Sequence, residues 1–237
     1  MTTTLIPVLS ALAAALVVIG LVPLTVRLAR RVDAVDHPAD RRIHTVATPR
    51  LGGLALLGGF LVPALYYLPE DEPTRGLVAG AVLIALLGAV DDIWGLSPAV
   101  KLVGQVACAA VPVSAGLTID HMTIPFVGVG DLGAAQYPLT ILWFVALVNT
   151  INFTDGMDGL AAGVSGISAT TFAVLAASLN RADPAIIAAA LAGVCIAFLI
   201  FNFHPARVFM GDSGSMLLGF VLAGVAISGV LKTTAAI

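Results

Sequence analysis

Long apolar runs alternate along the chain with short polar connections. The runs cover roughly Leu5–Leu28, Leu51–Leu68, Gly76–Val90, Ala99–Leu117, Pro138–Ile151, Leu160–Leu179, Ala185–Phe203 and Ser215–Leu231, each bounded by polar residues, Pro or Gly. A helix crosses a hydrocarbon layer of about 30 Å with about 20 such residues, and inside lipid the backbone must satisfy its own hydrogen bonds. The pattern therefore predicts an all-α, polytopic membrane bundle of about eight spans. Two runs, Gly76–Val90 and Pro138–Ile151, are short for a full crossing, which would set their polar ends near the level of a lipid phosphate. The connection "TIDHMTIPFVGVGDLGAAQYP" alternates apolar residues with glycines and predicts a short hairpin.

Composition agrees with this picture. Of 237 residues, 59% are hydrophobic and 11% charged, with no run of either sign, so neither a soluble domain nor a nucleic-acid surface is expected. Cys108 and Cys195 lie inside apolar runs and read as packing residues. The start, "MTTTLIPVLSALAAALVVIGLVPL", has no basic residues and is too long for a leader core, so it is expected to remain as the first span. The first connection gathers Arg27, Arg30, Arg31, Arg41, Arg42 and Arg50, while the second, "PEDEPTR", is acidic. The positive-inside rule then puts the N-terminus outside and four connections in the cytoplasm: 29–50, 91–98, 149–159 and 202–214. On that face fall Asp91, Asp92, Asp155, Asp158 and Asp212, with His37, His44 and His204.

Converging carboxylates repel one another unless a cation joins them. Oxygen ligands from Asp and Asn suit Mg²⁺, with Mn²⁺ able to substitute, and a bound Mg²⁺ keeps room for substrate phosphates. Arg41, Arg42, Arg50, Lys101 and Arg207 on the same face can meet phosphate charge, so the set points to metal-assisted phosphoryl transfer at a membrane surface. Each piece also has a plain structural reading. The "DD" before "IWGLSP" can cap a helix, "DGMDG" can be a turn, Asp212 and Ser213 can cap the last span, and Gly159 with Gly163 can allow close helix packing.

Four stretches in order, "DHPADRRIHTVATPRLGG", "DDIWGLSPAVKL", "NTINFTDGMDGLAAG" and "ARVFMGDSGSMLLGF", resemble the polyprenyl-phosphate N-acetylhexosamine-1-phosphate transferases, glycosyltransferase family 4, in the branch that transfers GlcNAc-1-phosphate. The resemblance implies Mg²⁺-dependent attack of a polyprenyl phosphate on a UDP-N-acetylhexosamine, with UMP released, at a bacterial plasma membrane. It implies catalytic roles for Asp91 and Asp92, the latter as a general base, and metal ligation by Asp212 and Asn152. Substrate contacts are implied for Asp155, Asp158, Phe209, Arg41, Arg42, His44, Arg50 and Lys101. A homodimer is left open.

The family continues with further spans and a late histidine-containing loop, whereas this sequence stops at "GVLKTTAAI". It is thus expected to be a single transmembrane catalytic domain over 1–237 lacking those spans. A phospho-MurNAc-pentapeptide transferase and a truncated, non-catalytic assembly partner stay open as alternatives. "DGMDGLAA" also opens the CDP-alcohol phosphotransferase pattern, but Gly163 stands where that pattern needs arginine. An ion-coupled transporter would need carboxylates in mid-span, and here each falls at a span's end.

Overall fold

The computed structural model describes residues 2–36, 47–67, 71–124 and 128–231, so Arg41, Arg42 and His44 lie outside the described residues. Its helices are α1 (Thr2–Arg31), α2 (Gly52–Tyr67), α3 (Glu72–Trp94), α4 (Pro98–Ser114), α5 (Gln136–Thr154), α6 (Leu160–Ser178), α7 (Ala182–Asn202) and α8 (Gly211–Val225). The last helix runs on into a π turn, Ala226–Leu231. A 3-10 turn, Gly133–Ala135, leads into α5, and there are two small antiparallel pairs: β1 (Val35–Asp36) with β2 (Thr48–Pro49), and β3 (His121–Ile124) with β4 (Gly128–Asp131), the hairpin expected in the 118–138 connection.

The chain is an all-α, multi-pass membrane bundle. Six helices are long and apolar enough to cross a membrane: α1, α3, α5, α6, α7 and α8. The short pair is not the one expected. α3 has 23 residues and α5 has 19, whereas α2 and α4 have 16 and 17. The apolar runs understate α3 and α5 because both helices continue through polar residues that find partners inside the bundle. At its start α3 is capped by Asp71, whose carboxylate accepts from the Thr74 amide at 3.1 Å, with Pro73 in the first turn.

α8 is the axis of the fold. It is buried along 83% of its apolar window, against 22% for α5. α2, α3 and α5 pack directly on it, while α1 and α6 pack on α7. Small residues allow this closeness: a Cβ on Gly53 of α2 would lie 2.1 Å from the Gly214 nitrogen, and one on Gly88 of α3 would lie 2.5 Å from the Asp212 carbonyl carbon. Phe60, Phe144, Phe198 and Phe220 fill the core between these helices.

Gly159 and Gly163 do not form the close helix contact their spacing suggested. A Cβ on Gly163 would meet nothing within 4 Å. Gly159 is instead needed for its left-handed backbone, φ 72°, at the turn into α6.

Candidate active site

The start of α8 is where the four sequence stretches meet. Backbone bonds zip the residues before it against the start of α2: Phe209 N donates to Pro49 O at 2.8 Å, Gly52 N to Phe209 O at 3.0 Å, and Gly53 N to Met210 O at 2.8 Å. From α3, Asp92 reaches the first turn of α8 and accepts from the amides of Asp212, at 2.9 Å, and Ser213, at 3.0 Å. From α5, Asn152 Nδ2 donates to Asp212 Oδ1 at 2.7 Å and to Ser215 Oγ at 2.8 Å. The ends of α3, α5 and α8 therefore share one end of the bundle, as the arginine-based topology requires of them.

Lys101, one turn into α4, holds the acids together. Its Nζ donates to Asp91 Oδ2 at 3.0 Å and to Asp212 Oδ2. The three side chains are 18%, 13% and 26% exposed respectively, so they are reachable from one side but largely screened from water. Two carboxylates on one ammonium show that their oxygens already converge on a point that a cation occupies. Among the described residues no group of three or more His, Cys, Asp or Glu is placed to hold a metal ion. Asp91, Asp212 and the amide oxygen of Asn152 nevertheless form a hard-oxygen donor set that fits Mg²⁺. Asn152 would then turn its amide over to present Oδ1, an orientation difference of the kind fixed only by hydrogen-bond context.

Asp91 also accepts from the Leu96 amide, while Gly95, at φ 69°, ends α3 through its N–H to Asp91 O at 2.9 Å. Arg50 Nη2 donates to the Asp92 carbonyl at 2.8 Å, and its buried Nε has no hydrogen-bond partner among the described residues. On the far side of the cluster, Asp158 Oδ2 accepts from the Ala206 amide and faces His204 Nδ1, both at 3.0 Å. That contact fastens the turn after α5 to the connection carrying Phe209. Asn202, buried at the end of α7, does the same from within: its Oδ1 accepts from Gly159 N at 3.1 Å and its Nδ2 donates to Val208 O at 2.9 Å. Asp155 stands between the two halves. Burial, then the negative charges of Asp212, Asp92 and Asp158, push its pKa up to about 8.

The structure thus brings Asp91, Asp92, Lys101, Asn152, Asp212 and Arg50 together, with Asp155 and Asp158 beside them. Gln105, Asn149, Asn202 and Ser215 also take part, and sequence reading gave none of them a role. Gln105 and Asn149 exchange amide hydrogen bonds, Asn149 Nδ2 to Gln105 Oε1 at 2.7 Å and Gln105 Nε2 to Asn149 Oδ1 at 3.4 Å. They tie α4 to α5 just below the cluster. Gln105 stands four residues after Lys101 and Asn149 three before Asn152, so each lies one helical turn from a site residue, a spacing visible in the sequence.

Comparison with known proteins bears on this geometry. Residues 74–230 match the model of "Glycosyl transferase family 4". Over 223 residues the chain is 38% identical to the Bacillus subtilis protein named "Probable undecaprenyl-phosphate N-acetylglucosaminyl 1-phosphate transferase", covering 92% of this chain and 62% of that protein. It is 42% identical over 219 residues to a decaprenyl-phosphate N-acetylglucosaminephosphotransferase of Mycobacterium leprae, covering 83% of this chain and 54% of that one. A phospho-N-acetylmuramoyl-pentapeptide-transferase of Moorella thermoacetica is 37% identical over 232 residues, with 90% and 73% covered. The chain therefore spans roughly half to three fifths of the length of these two acetylglucosaminyl relatives.

Proposed function

The chain belongs to glycosyl transferase family 4, and from that premise we propose that it transfers N-acetylglucosamine-1-phosphate from UDP-GlcNAc to a polyprenyl phosphate at the inner face of a bacterial plasma membrane, releasing UMP. Such a product would begin a cell-wall or surface glycan. The observation that carries the reading is the single ammonium of Lys101 between Asp91 and Asp212, with Asn152 on the same carboxylate. That is a cation-centred oxygen cluster at the end of a membrane bundle, where a lipid phosphate resides. The choice of GlcNAc over the muramyl pentapeptide is supported by the Mycobacterium leprae relative at 42% identity, against 37% for the muramyl enzyme.

In this reaction an oxygen of the lipid phosphate forms a new bond to the sugar-bearing phosphorus, and the bridging P–O bond to UMP breaks with its electron pair leaving on UMP. A phosphate monoester near neutral pH is already largely ionised, so no proton has to be removed from the nucleophile. Catalysis then rests on positioning and charge. Asp91, Asp212 and Asn152 would hold Mg²⁺, which when bound supplies Lewis-acid neutralisation of the phosphate oxygens. Lys101, already within reach of both carboxylates, is placed to follow negative charge onto a substrate phosphate. Arg50 keeps a buried Nε donor that a phosphate oxygen would satisfy. Asp158 is bonded to the connection bearing Phe209 and Asp155 lies within reach of its charge, an arrangement suited to a nucleotide whose base lies on the aromatic ring.

The test is transfer of radiolabelled sugar phosphate to polyprenyl phosphate by the purified chain in lipid nanodiscs, with and without Mg²⁺. Labelled lipid and UMP are expected from UDP-GlcNAc only when Mg²⁺ is present. Transfer from UDP-MurNAc-pentapeptide alone would reassign the sugar, and no transfer from either donor would remove the reading.

A further inference from the structure

Asp92 is adjacent in sequence to Asp91 but does a different job in the fold. Successive residues of a helix point about 100° apart. Asp91 accordingly faces Lys101, at the partly open side of the cluster, while Asp92 turns inward and is only 6% exposed. Each of its oxygens accepts a backbone amide, Oδ1 that of Asp212 and Oδ2 that of Ser213. α8 has no cap of its own, because the residue before it, Met210, provides no side-chain hydrogen bond. A helix start leaves amides without partners and carries partial positive charge. Asp92 therefore supplies from α3 the cap that α8 lacks.

The surroundings are built to this contact. Gly211 adopts φ 66°, and a Cβ there would stand 2.5 Å from Asp92 Oδ2 and 2.3 Å from Arg50 O. The missing Cβ of Gly88, one turn earlier on α3, lets the backbone of Asp212 and Ser213 rest on that helix. Arg50 Nη2 grips the Asp92 carbonyl. A general base must present an accessible lone pair to the proton it removes, whereas Asp92 is only 6% exposed and has both oxygens turned onto backbone amides. Withdrawing either oxygen here would strand a buried amide in the first turn of α8.

We propose that Asp92 is a positioning residue, not a base: by clamping the first turn of α8 onto α3 it sets where Asp212 stands relative to Asp91, Asn152 and Lys101. This rests on the transfer reading above for its consequence in turnover, but the clamp can be measured without it. In Asp92→Asn only the amide oxygen can accept, and its NH₂ faces a backbone donor. Two readouts in nanodiscs follow, amide exchange in peptides covering 211–215 and Mn²⁺ affinity by electron paramagnetic resonance.

The clamp predicts exchange faster by about tenfold or more and Mn²⁺ binding weaker by about 10- to 100-fold, the usual range for residues that orient a metal ligand. Turnover lost at low Mn²⁺ should return as Mn²⁺ is raised, with its pH profile unmoved. Asp92→Glu retains a carboxylate but adds a methylene that pushes α8 away, so it should weaken Mn²⁺ as well. Asp212→Asn is the reference, abolishing Mn²⁺ binding while leaving Asp92 on its two amides. Wild-type exchange and Mn²⁺ affinity in Asp92→Asn, with turnover down about 10²- to 10⁴-fold and one limb of the pH profile gone, would make Asp92 a base and overturn the proposal. If the wild type transfers no sugar phosphate, the transfer reading fails, and exchange and Mn²⁺ affinity still decide the role of Asp92.

Discussion

Replacing Lys101 with Met removes the one ammonium shared by Asp91 and Asp212 while keeping a side chain of similar length. Because Asp91 Oδ2 lies 3.0 Å from Nζ and the Asp212 oxygen is also in hydrogen-bond contact, the two carboxylate oxygens are no more than about 6 Å apart. Two like charges at that distance repel by about 3 kcal/mol at an effective dielectric constant of 20. The site is partly exposed, at 13% and 26% for the two acids, and one carboxyl can relieve the strain by taking a proton, so a loss of about 1–2 kcal/mol is expected for the metal-free protein. A divalent ion should do more than compensate. In the wild type it must displace the ammonium, and in Lys101→Met it meets two unopposed carboxylates, so Mn²⁺ affinity should rise by about tenfold while turnover falls for want of a phosphate-binding cation. The assay is thermal unfolding of the solubilised chain across a Mn²⁺ titration. Unchanged stability together with unchanged or weaker Mn²⁺ affinity would show that ammonium and metal do not compete for the same oxygens.

Asp155 and the Gln105–Asn149 pair offer two further tests. The folded chain raises the Asp155 pKa from 3.8 to about 8, so between these values the folded state holds a proton that the unfolded state has lost. Stability contributed at about pH 4 should therefore decline as pH rises towards 8, and Asp155→Asn should flatten that slope in metal-free thermal melts; an identical slope in the variant would contradict the assignment. Gln105→Leu leaves the Asn149 side chain with its bond to the Val145 carbonyl but takes away its contacts to Gln105, which should cost about 1–3 kcal/mol, whereas adding Asn149→Leu should recover part of the loss. A strictly additive double variant, measured by denaturation, would mean that the pair does not act as a unit.

The fold class was readable because membrane burial is written in long apolar runs, and the run boundaries lay close to the helices except where polar residues continue inside them. Asp91, Asp92, Asn152 and Asp212 could be picked out because carboxylates and amides are costly among apolar spans and need partners. Their separate contacts were not readable. Asp212 and Ser213 could also be read from sequence as caps of their own helix; in the fold their amides are instead capped by Asp92. The "DD" pair offered helix capping or chemistry as alternatives, and the fold divides the two residues between the side chains of Lys101 and Asp212 and the backbone of α8. Gly211 looked like one more small residue until φ 66° and the nearby Asp92 oxygens showed why a side chain cannot stand there.

The amino-acid order alone determined which segments enter the membrane and which polar residues are stranded between them, since hydrophobic length and helical period are local properties. Which acid meets which partner was decided only by tertiary structure. That choice depends on how the helices around α8 are rotated against it, and the close approaches at Gly53 on α2 and Gly88 on α3 that set two of those rotations join residues more than a hundred positions apart in the chain.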